Sequence, residues 1–99
     1  MEIRIQTIHF DASQQLEAFI EKKVSKLSKY LDEIQFAEVT LKVVKPESAQ
    51  NKEAGIKLIV PNQDFFASKI SDSFEESVVD VVDALEKQLI KFKEKQREK

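Results

Sequence analysis

The apolar residues of this chain follow two different periods, and the order of those periods constrains the fold more than any other feature. An alternating, two-residue period is typical of half-buried strands and occurs in the segments 3–7, 36–45 and 56–60. The segment 65–70 follows turn residues and is predicted to be the second strand of a hairpin. A three- and four-residue period is typical of amphipathic helices and occurs in 13–31 and from 72 towards the C-terminus. The predicted order is strand, helix, strand, strand, strand, helix.

The two predicted helices begin at capping residues. Ser13 precedes the first helical run, and a serine hydroxyl is a good N-cap acceptor. Asp72 and Glu75 have the spacing of a capping box, so the last helix is predicted to begin at Asp72 or Ser73. Leu85 lies at the centre of the apolar stripe of that helix, which is expected to fray at its charged end.

The strand boundaries follow from parity changes and turn residues. The apolar residues change parity after Thr7, which predicts a bulge or a strand end there. The second strand is predicted to stop at Pro46, and the polar segment from Pro46 to Glu53 is predicted to be a surface loop. Residues 61–64 supply the turn of a hairpin between the last two strands.

These elements predict one topology. A helix in the first crossover makes strands one and two parallel with a right-handed connection, and short connections make strands two, three and four an antiparallel meander. The predicted class is α+β, with the order β-α-β-β-β-α, a four-stranded mixed sheet and both helices on one face. At 99 residues the chain is expected to form a single domain, 1–99, with its last few residues frayed.

Several kinds of chemistry lack the residues that they need. There is no cysteine for a disulfide, a zinc thiolate or a thiol nucleophile, and His9 is the single histidine. The single glycine, Gly55, excludes a glycine-rich phosphate loop. The acids between residues 72 and 86 are spread around a helix axis, which disfavours a cation site. We therefore expect no enzyme, no metal and no cofactor, and no small-molecule substrate.

The sequence also predicts the compartment. No apolar stretch approaches the ~18 residues of a membrane span. The N-terminus lacks a basic region followed by an apolar run, so no secretory signal is predicted. A cytoplasmic protein without a membrane partner is expected.

Charge is unevenly distributed along the chain. The formal net charge of −2 argues against a nucleic-acid ligand, because Lys and Arg make most phosphate contacts. However, the segment 21–30 has four lysines against one acid, and 87–99 has six bases against two acids. The segment 72–86 has six acids and no base. This polarity is compatible with an RNA ligand despite the near-neutral total.

The angular positions of the basic residues sharpen this hypothesis. At about 100° per residue, Lys22, Lys26 and Lys29 fall near 220–280° from the apolar direction set by Leu16. In the last helix Lys87, Lys91 and Lys95 fall at about 180–260° from Val78 and form a ridge about 12 Å long. Lys93 and Arg97 lie on the opposite flank.

Simpler explanations remain open for these residues. Lysines on helix flanks are usually just solvated, and basic residues near a helix C-terminus are favoured by the helix dipole, as acids are near the N-terminus. Phe65 and Phe66 are expected to point to opposite faces of the sheet, where the outward ring packs or stacks on a base. A protein-binding adaptor that uses its acidic and basic helix surfaces is the alternative hypothesis.

Two segments resemble a known family. The run of seven residues that starts at Val39, VTLKVVK, and the run that starts at Leu85, LEKQLIKFKEK, are similar to the second strand and the final helix of the ribosome hibernation promoting factor and ribosome-associated inhibitor family. The first predicted helix and the element order also fit, so the resemblance covers essentially the whole chain. The chain most resembles the short form of the family.

The resemblance implies a double-stranded-RNA-binding-domain-like fold that binds small-subunit rRNA in the messenger and transfer RNA channel. Bound there, the protein inhibits translation by occupancy, and off the ribosome it is expected to be monomeric. The implied RNA contacts are Lys22, Lys23, Lys26, Lys29, Lys42, Lys87, Lys91, Lys93 and Lys95. The chain departs from the family at Phe74, where a tyrosine is common, at Ala84, where a lysine is common, and at Phe92, where a histidine is common.

Overall fold

The computed structural model describes residues 1–44, 47 and 49–97. Within these residues it contains four strands, two α-helices and one 3₁₀ turn. They are β1 (Glu2–Ile8), α1 (Gln14–Ser25), the 3₁₀ turn (Lys26–Lys29), β2 (Phe36–Val43), β3 (Lys52–Val60), β4 (Gln63–Ser71) and α2 (Phe74–Arg97). The predicted element order is confirmed.

The strands lie in the sheet in sequence order, β1-β2-β3-β4. β1 pairs with β2 in parallel, and the other two pairs are antiparallel, as predicted. One row across the sheet contains Ile5, Val39, Ile56 and Ala67. The row lies on the face that the helices cover, with α1 against β1 and α2 across β3 and β4. The opposite face, called the open face below, carries no helix in the described part of the chain.

The core lies between the sheet and the two helices. α1 contributes Ile20 and Val24, and both are fully buried. α2 contributes a longer stripe that includes Leu85 and Leu89, also fully buried, as their positions in the helical period predicted. Burying a leucine side chain stabilises the fold by roughly 1.5–3 kcal/mol, so α2 supplies a large share of the apolar stabilisation. None of the described helices is both long and apolar enough to cross a bilayer.

The first helix is shorter than its apolar period predicts. Ser13 caps it as expected, since the Leu16 amide donates to Ser13 Oγ at 3.1 Å. The α-helix ends at Ser25 rather than near Leu31, and a 3₁₀ turn follows. Ser25 Oγ donates to the Lys22 carbonyl at 3.1 Å, and such side-chain bonds to the backbone compete with regular helix geometry.

The second helix starts one residue later than the Asp72 capping box predicts. The Glu76 amide donates to Ser73 Oγ at 3.1 Å, so Ser73 is the N-cap. Asp72 lies outside the helix and is exposed. The buried Ser77 hydroxyl donates to the Lys52 carbonyl at 2.6 Å, which ties this first turn to the start of β3.

The strands also differ from prediction at their ends. β3 begins at Lys52, inside the segment predicted to be a loop, because Lys52 pairs with Ser71 of β4. Lys45, Pro46 and Ser48, which the sequence placed at the end of β2 and in that loop, lie outside the described residues. The β3–β4 turn is tighter than predicted and contains only Pro61 and Asn62. Asn62 has φ 71°, which suits the third position of a type II turn after proline.

Candidate nucleic-acid interface

Three lysines of α1 and the 3₁₀ turn, Lys23, Lys26 and Lys29, line a cleft between the helices. Lys22, Lys26 and Lys29 are exposed, and Lys23 is half-buried with its ammonium 5.6 Å from the centroid of the Phe19 ring. Because Lys26 and Lys29 belong to the 3₁₀ turn, three residues apart, they lie almost directly above one another. The constant 100° step predicted their exposure but not this alignment.

The other wall of that cleft is acidic. The interhelix cleft is lined by Lys23, Lys26, Leu27, Lys29, Tyr30, Val79, Val82, Asp83 and Glu86. Lys23, Lys26 and Lys29 therefore lie across this cleft from Asp83 and Glu86 of α2. A phosphate that contacts Lys26 or Lys29 must approach from the α1 side of the cleft, because the α2 side repels anions.

A hydrogen bond joins the two walls. Tyr30 Oη donates to Glu86 Oε1 at 2.6 Å, which links the end of the 3₁₀ turn to the middle of α2. This hydrogen bond, with partial desolvation and the Glu86 charge, raises the pKa of Tyr30 above its usual value. The two residues are 56 apart in sequence, and no local pattern links them.

The lysines of α2 lie mostly on the other side of that helix. Lys87, Lys91, Lys93 and Lys95 are all exposed, as predicted. Lys91 and Lys95 border a second depression, the hairpin groove, which runs between Gln63–Phe65 of β4 and Gln88–Lys95 of α2. Lys93 lies on the flank that carries Glu86, so it is separated from the Lys87, Lys91 and Lys95 ridge.

Lys42 lies on neither helix flank. Val39 and Leu41 of β2 are buried against the helices, and Lys42 has the opposite parity, so it lies on the open face. Its neighbours in the sheet are Ile8 of β1 and Glu53 of β3. The nine implied RNA contacts therefore do not form one surface. Lys23, Lys26 and Lys29 lie at the cleft, and Lys22 is exposed on α1 outside its lining. Lys87, Lys91 and Lys95 form the α2 ridge, Lys93 lies on the other flank of α2, and Lys42 lies on the open face.

Among the described residues, none of the nine lysines forms an ion pair. In the described part of the chain the ion pairs are Arg4 with Glu2 and Lys57 with Asp64, and neither includes any of the nine lysines. Seven of the nine are exposed and Lys23 and Lys42 are half-buried, so a phosphate that binds the exposed ones breaks no ion pair among the described residues.

The described residues contain no cluster suited to holding a metal ion. Between Met1 and Arg97, leaving out 45, 46 and 48, no three His, Asp or Glu side chains are grouped closely enough to hold a metal ion. His9 follows β1 in the left-handed region, with φ 72°, and its side chain is exposed. β1 ends at Ile8, just before this residue, and histidine adopts the left-handed region more readily than most residues do.

Two solved structures resemble this fold closely. A ribosomal subunit interface protein from Coxiella burnetii matches with a TM-score of 0.84 and 26% identity, covering 94% of this chain and 98% of that one. The N-terminal domain of Thermus thermophilus Protein Y matches with a TM-score of 0.80 and 22% identity, covering 93% of this chain and 99% of that one. No protein of curated function matches the sequence.

The family comparison agrees with the resemblance seen in the sequence. The matched segment includes both helices, all but the first residue of β1, and the other three strands. Since residues 3–97 match the family described as Sigma 54 modulation protein / S30EA ribosomal protein, the chain belongs to that family.

Proposed function

We propose that this protein binds the small ribosomal subunit through its rRNA, in the channel of messenger and transfer RNA, and keeps ribosomes inactive by occupancy. The observation that carries the proposal is the ridge of Lys87, Lys91 and Lys95, exposed and unpaired among the described residues. Family membership supports a ribosomal partner, and the similar Coxiella burnetii protein is described as a ribosomal subunit interface protein.

The separation of the lysines fits an inhibitor that lies inside a channel. A protein surrounded by RNA meets phosphates from more than one direction, and lysines on a single flank would serve only one wall. Here Lys26 and Lys29 extend from the cleft rim, Lys91 extends from the far side of α2, and Lys42 extends from the open face. We propose that Lys22, Lys23, Lys87, Lys93 and Lys95 complete these contacts.

The proposed mechanism is binding without chemistry. It needs no cofactor, and the whole chain acts as one ribosome-binding domain in the cytoplasm, monomeric when it is off the ribosome. Inhibition follows because a channel filled by protein excludes messenger and initiator transfer RNA.

Sedimentation through sucrose gradients tests the proposal. The protein should co-sediment with small subunits, and its affinity should fall with salt by a slope of about −0.7 to −0.9 in log K against log salt for each phosphate contact. In a translation assay it should inhibit synthesis, and added messenger with initiator transfer RNA should relieve the inhibition. A protein that stays at the top of the gradient at low salt would contradict the proposal.

A protein-binding adaptor is the second candidate function. It is favoured by the outer surface of α2, where Glu76, Asp80 and Asp83 are exposed before the basic ridge begins. Such a dipolar helix suits a protein partner of complementary charge. An adaptor would bind its partner after ribonuclease treatment, whereas rRNA binding would be lost.

A further inference from the structure

We infer that the hairpin groove binds one unpaired RNA nucleotide, with its base against the Phe65–Phe92 pair and its phosphate at Lys91 and Lys95. The inference rests on the proposed ribosomal function and deepens it. It distinguishes unpaired from paired RNA, which a ridge of lysines alone cannot do, because phosphates carry no such information.

The floor of the groove is aromatic. Phe65 and Phe92 form an edge-to-face pair with their centroids 5.3 Å apart and an interplanar angle of 80°. Phe65 is buried, whereas Phe92 packs against the core with only part of its surface and borders the groove with the rest. Unpaired bases stack on such rings in RNA-binding proteins, whereas the bases of a duplex are covered by their neighbours.

The basic wall of the groove determines how the nucleotide is oriented between α2 and the hairpin. Lys91 and Lys95 are one helical turn apart, about 6 Å along α2, and both are exposed. The opposite wall contains Asp64, whose carboxylate lies 3.6 Å from Lys57 Nζ and so is partly offset. A phosphate is therefore favoured at the α2 wall, which leaves the base to lie towards the hairpin.

Gln88 supplies polar recognition at the edge of the aromatic floor. Its Nε2 donates to the Phe66 carbonyl at 3.1 Å, which holds the side-chain amide in place. That bond uses the amide nitrogen and leaves the amide oxygen as an acceptor for a base N–H. A fixed acceptor beside an aromatic ring is a common way to bind a single base.

Phe66 is the other ring that could stack on a base, and the open face around it is less suitable. Its side chain is 59% exposed, and its ring lies against Gly55, where an added Cβ would be 3.5 Å from the ring. The charged residues of its face include the acids Glu2, Glu38, Glu53 and Asp64 against the bases Arg4, Lys42 and Lys57. The excess of acids makes this face less favourable for a phosphate than the α2 wall of the groove, so Phe66 serves as the matched control.

The test compares two RNA hairpins that differ in one feature. One is fully paired, and the other carries a single unpaired 2-aminopurine nucleotide in the stem. The protein should bind the bulged hairpin about tenfold more tightly, as expected for one stacked base, and the fluorescence of 2-aminopurine should change on binding. Phe92→Leu should abolish the preference and the fluorescence change, whereas Phe92→Tyr and Phe66→Leu should keep both.

Lys95→Glu provides a variant that does not touch the core. It should weaken binding to the bulged hairpin more than binding to the paired one, because only the bulge places a phosphate in the groove. Equal affinity for the two hairpins, a preference that survives in Phe92→Leu, or one that is lost in Phe66→Leu would overturn the inference. Co-sedimentation of the parent with small subunits is measured separately, so a failed groove and a failed ribosomal function give different results.

Discussion

The two halves of α2 differ in both burial and charge. The first half, residues 74–85, buries Phe74, Val78, Val81 and several neighbours against the sheet. In the second half, side chains are described as far as Lys95. Among these, Leu89 is the only buried one, and Phe92 is partly buried. The outer surface changes from acidic to basic at the same point. The first half of α2 therefore supplies more of the core, and the second half carries the exposed bases that we propose bind RNA.

The charge pattern along α2 also affects the stability of the helix itself. Acids near the start of a helix and bases near its end are each favoured by the helix dipole, typically by about 0.3–1 kcal/mol. Of the basic residues proposed to bind RNA, Lys95 lies in the last turn of α2, where the dipole favours it in the free protein as well. The acidic first half disfavours phosphates, so the RNA contacts that we propose lie on the second half and on the far rim of the cleft.

Reversing charge in the second half tests this division most strongly. Lys87→Glu with Lys91→Glu should abolish ribosome association, since two charge-assisted contacts of about 1.5–3 kcal/mol each are lost and replaced by repulsion. Thermal stability should change by no more than about 0.5 kcal/mol, because both positions are exposed. Gradient sedimentation and a translation assay measure the loss.

A matched double reversal on the other flank of α2 tests whether binding depends on the position of the bases or only on the net charge of the protein. Lys93→Glu with Arg97→Glu changes the net charge equally and should weaken association less, because Lys93 lies away from the ridge. If the ridge variant binds and inhibits like the parent, the adaptor function becomes the better explanation.

The packing of the second half can be tested independently of binding. Leu89→Ala should lower the free energy of unfolding by about 2–5 kcal/mol, since it empties a fully buried site on the sheet. Ile90→Ala removes a neighbouring side chain that is 39% exposed and should cost about 1 kcal/mol or less. Denaturant titrations of both variants give the difference, and equal values would refute the burial of Leu89.

The start of the first half depends on its cap. Ser73→Ala should destabilise the protein by about 1 kcal/mol, because the Glu76 amide loses its acceptor. Asp72→Ala should cost less, about 0.5 kcal/mol, since Asp72 acts only through the helix dipole. If chemical denaturation showed Asp72→Ala to be the more destabilising variant, Asp72 rather than Ser73 would be the N-cap.

The smallest expected effect concerns the hydrogen bond between Tyr30, which follows the 3₁₀ turn, and Glu86 of α2. Because the pKa of Tyr30 is raised in the folded protein, the stabilisation from its bond to Glu86 is present below the unfolded pKa of about 10. It is lost as pH rises through the higher folded value. Tyr30→Phe should therefore be slightly less stable than the parent at neutral pH, and the gap should close in strongly alkaline solution. A gap that widens with pH would contradict the assignment.

Periodicity predicted most of this fold because the apolar residues that set the period also form the core. Val39 and Leu41 lie where their alternation places them, and the same parity predicts that Lys42 lies on the open face. The end of α1 could not be predicted this way. Leu27 and Leu31 stay buried through a 3₁₀ turn, so they keep the apolar pattern while the backbone changes its geometry.

The candidate site was less accessible to sequence reasoning. The exposure of Lys87 and Lys91 follows from helix geometry, but their separation from Lys26 depends on which strands each helix covers. The hydrogen bond between Tyr30 and Glu86 joins two segments that are distant in the sequence, and no pattern in either segment predicts it. The cap was ambiguous because Asp72 with Glu75 and Ser73 with Glu76 have the same spacing.

The order of the strands bears on how the chain is made. Each strand pairs with the strand synthesised just before it, so the sheet can grow from one edge as the polypeptide emerges. The stripe of α2 that covers β3 and β4 belongs to the last quarter of the chain. The apolar surfaces of β3 and β4 can therefore be covered only after α2 has also been made by translation, the process that we propose this protein inhibits.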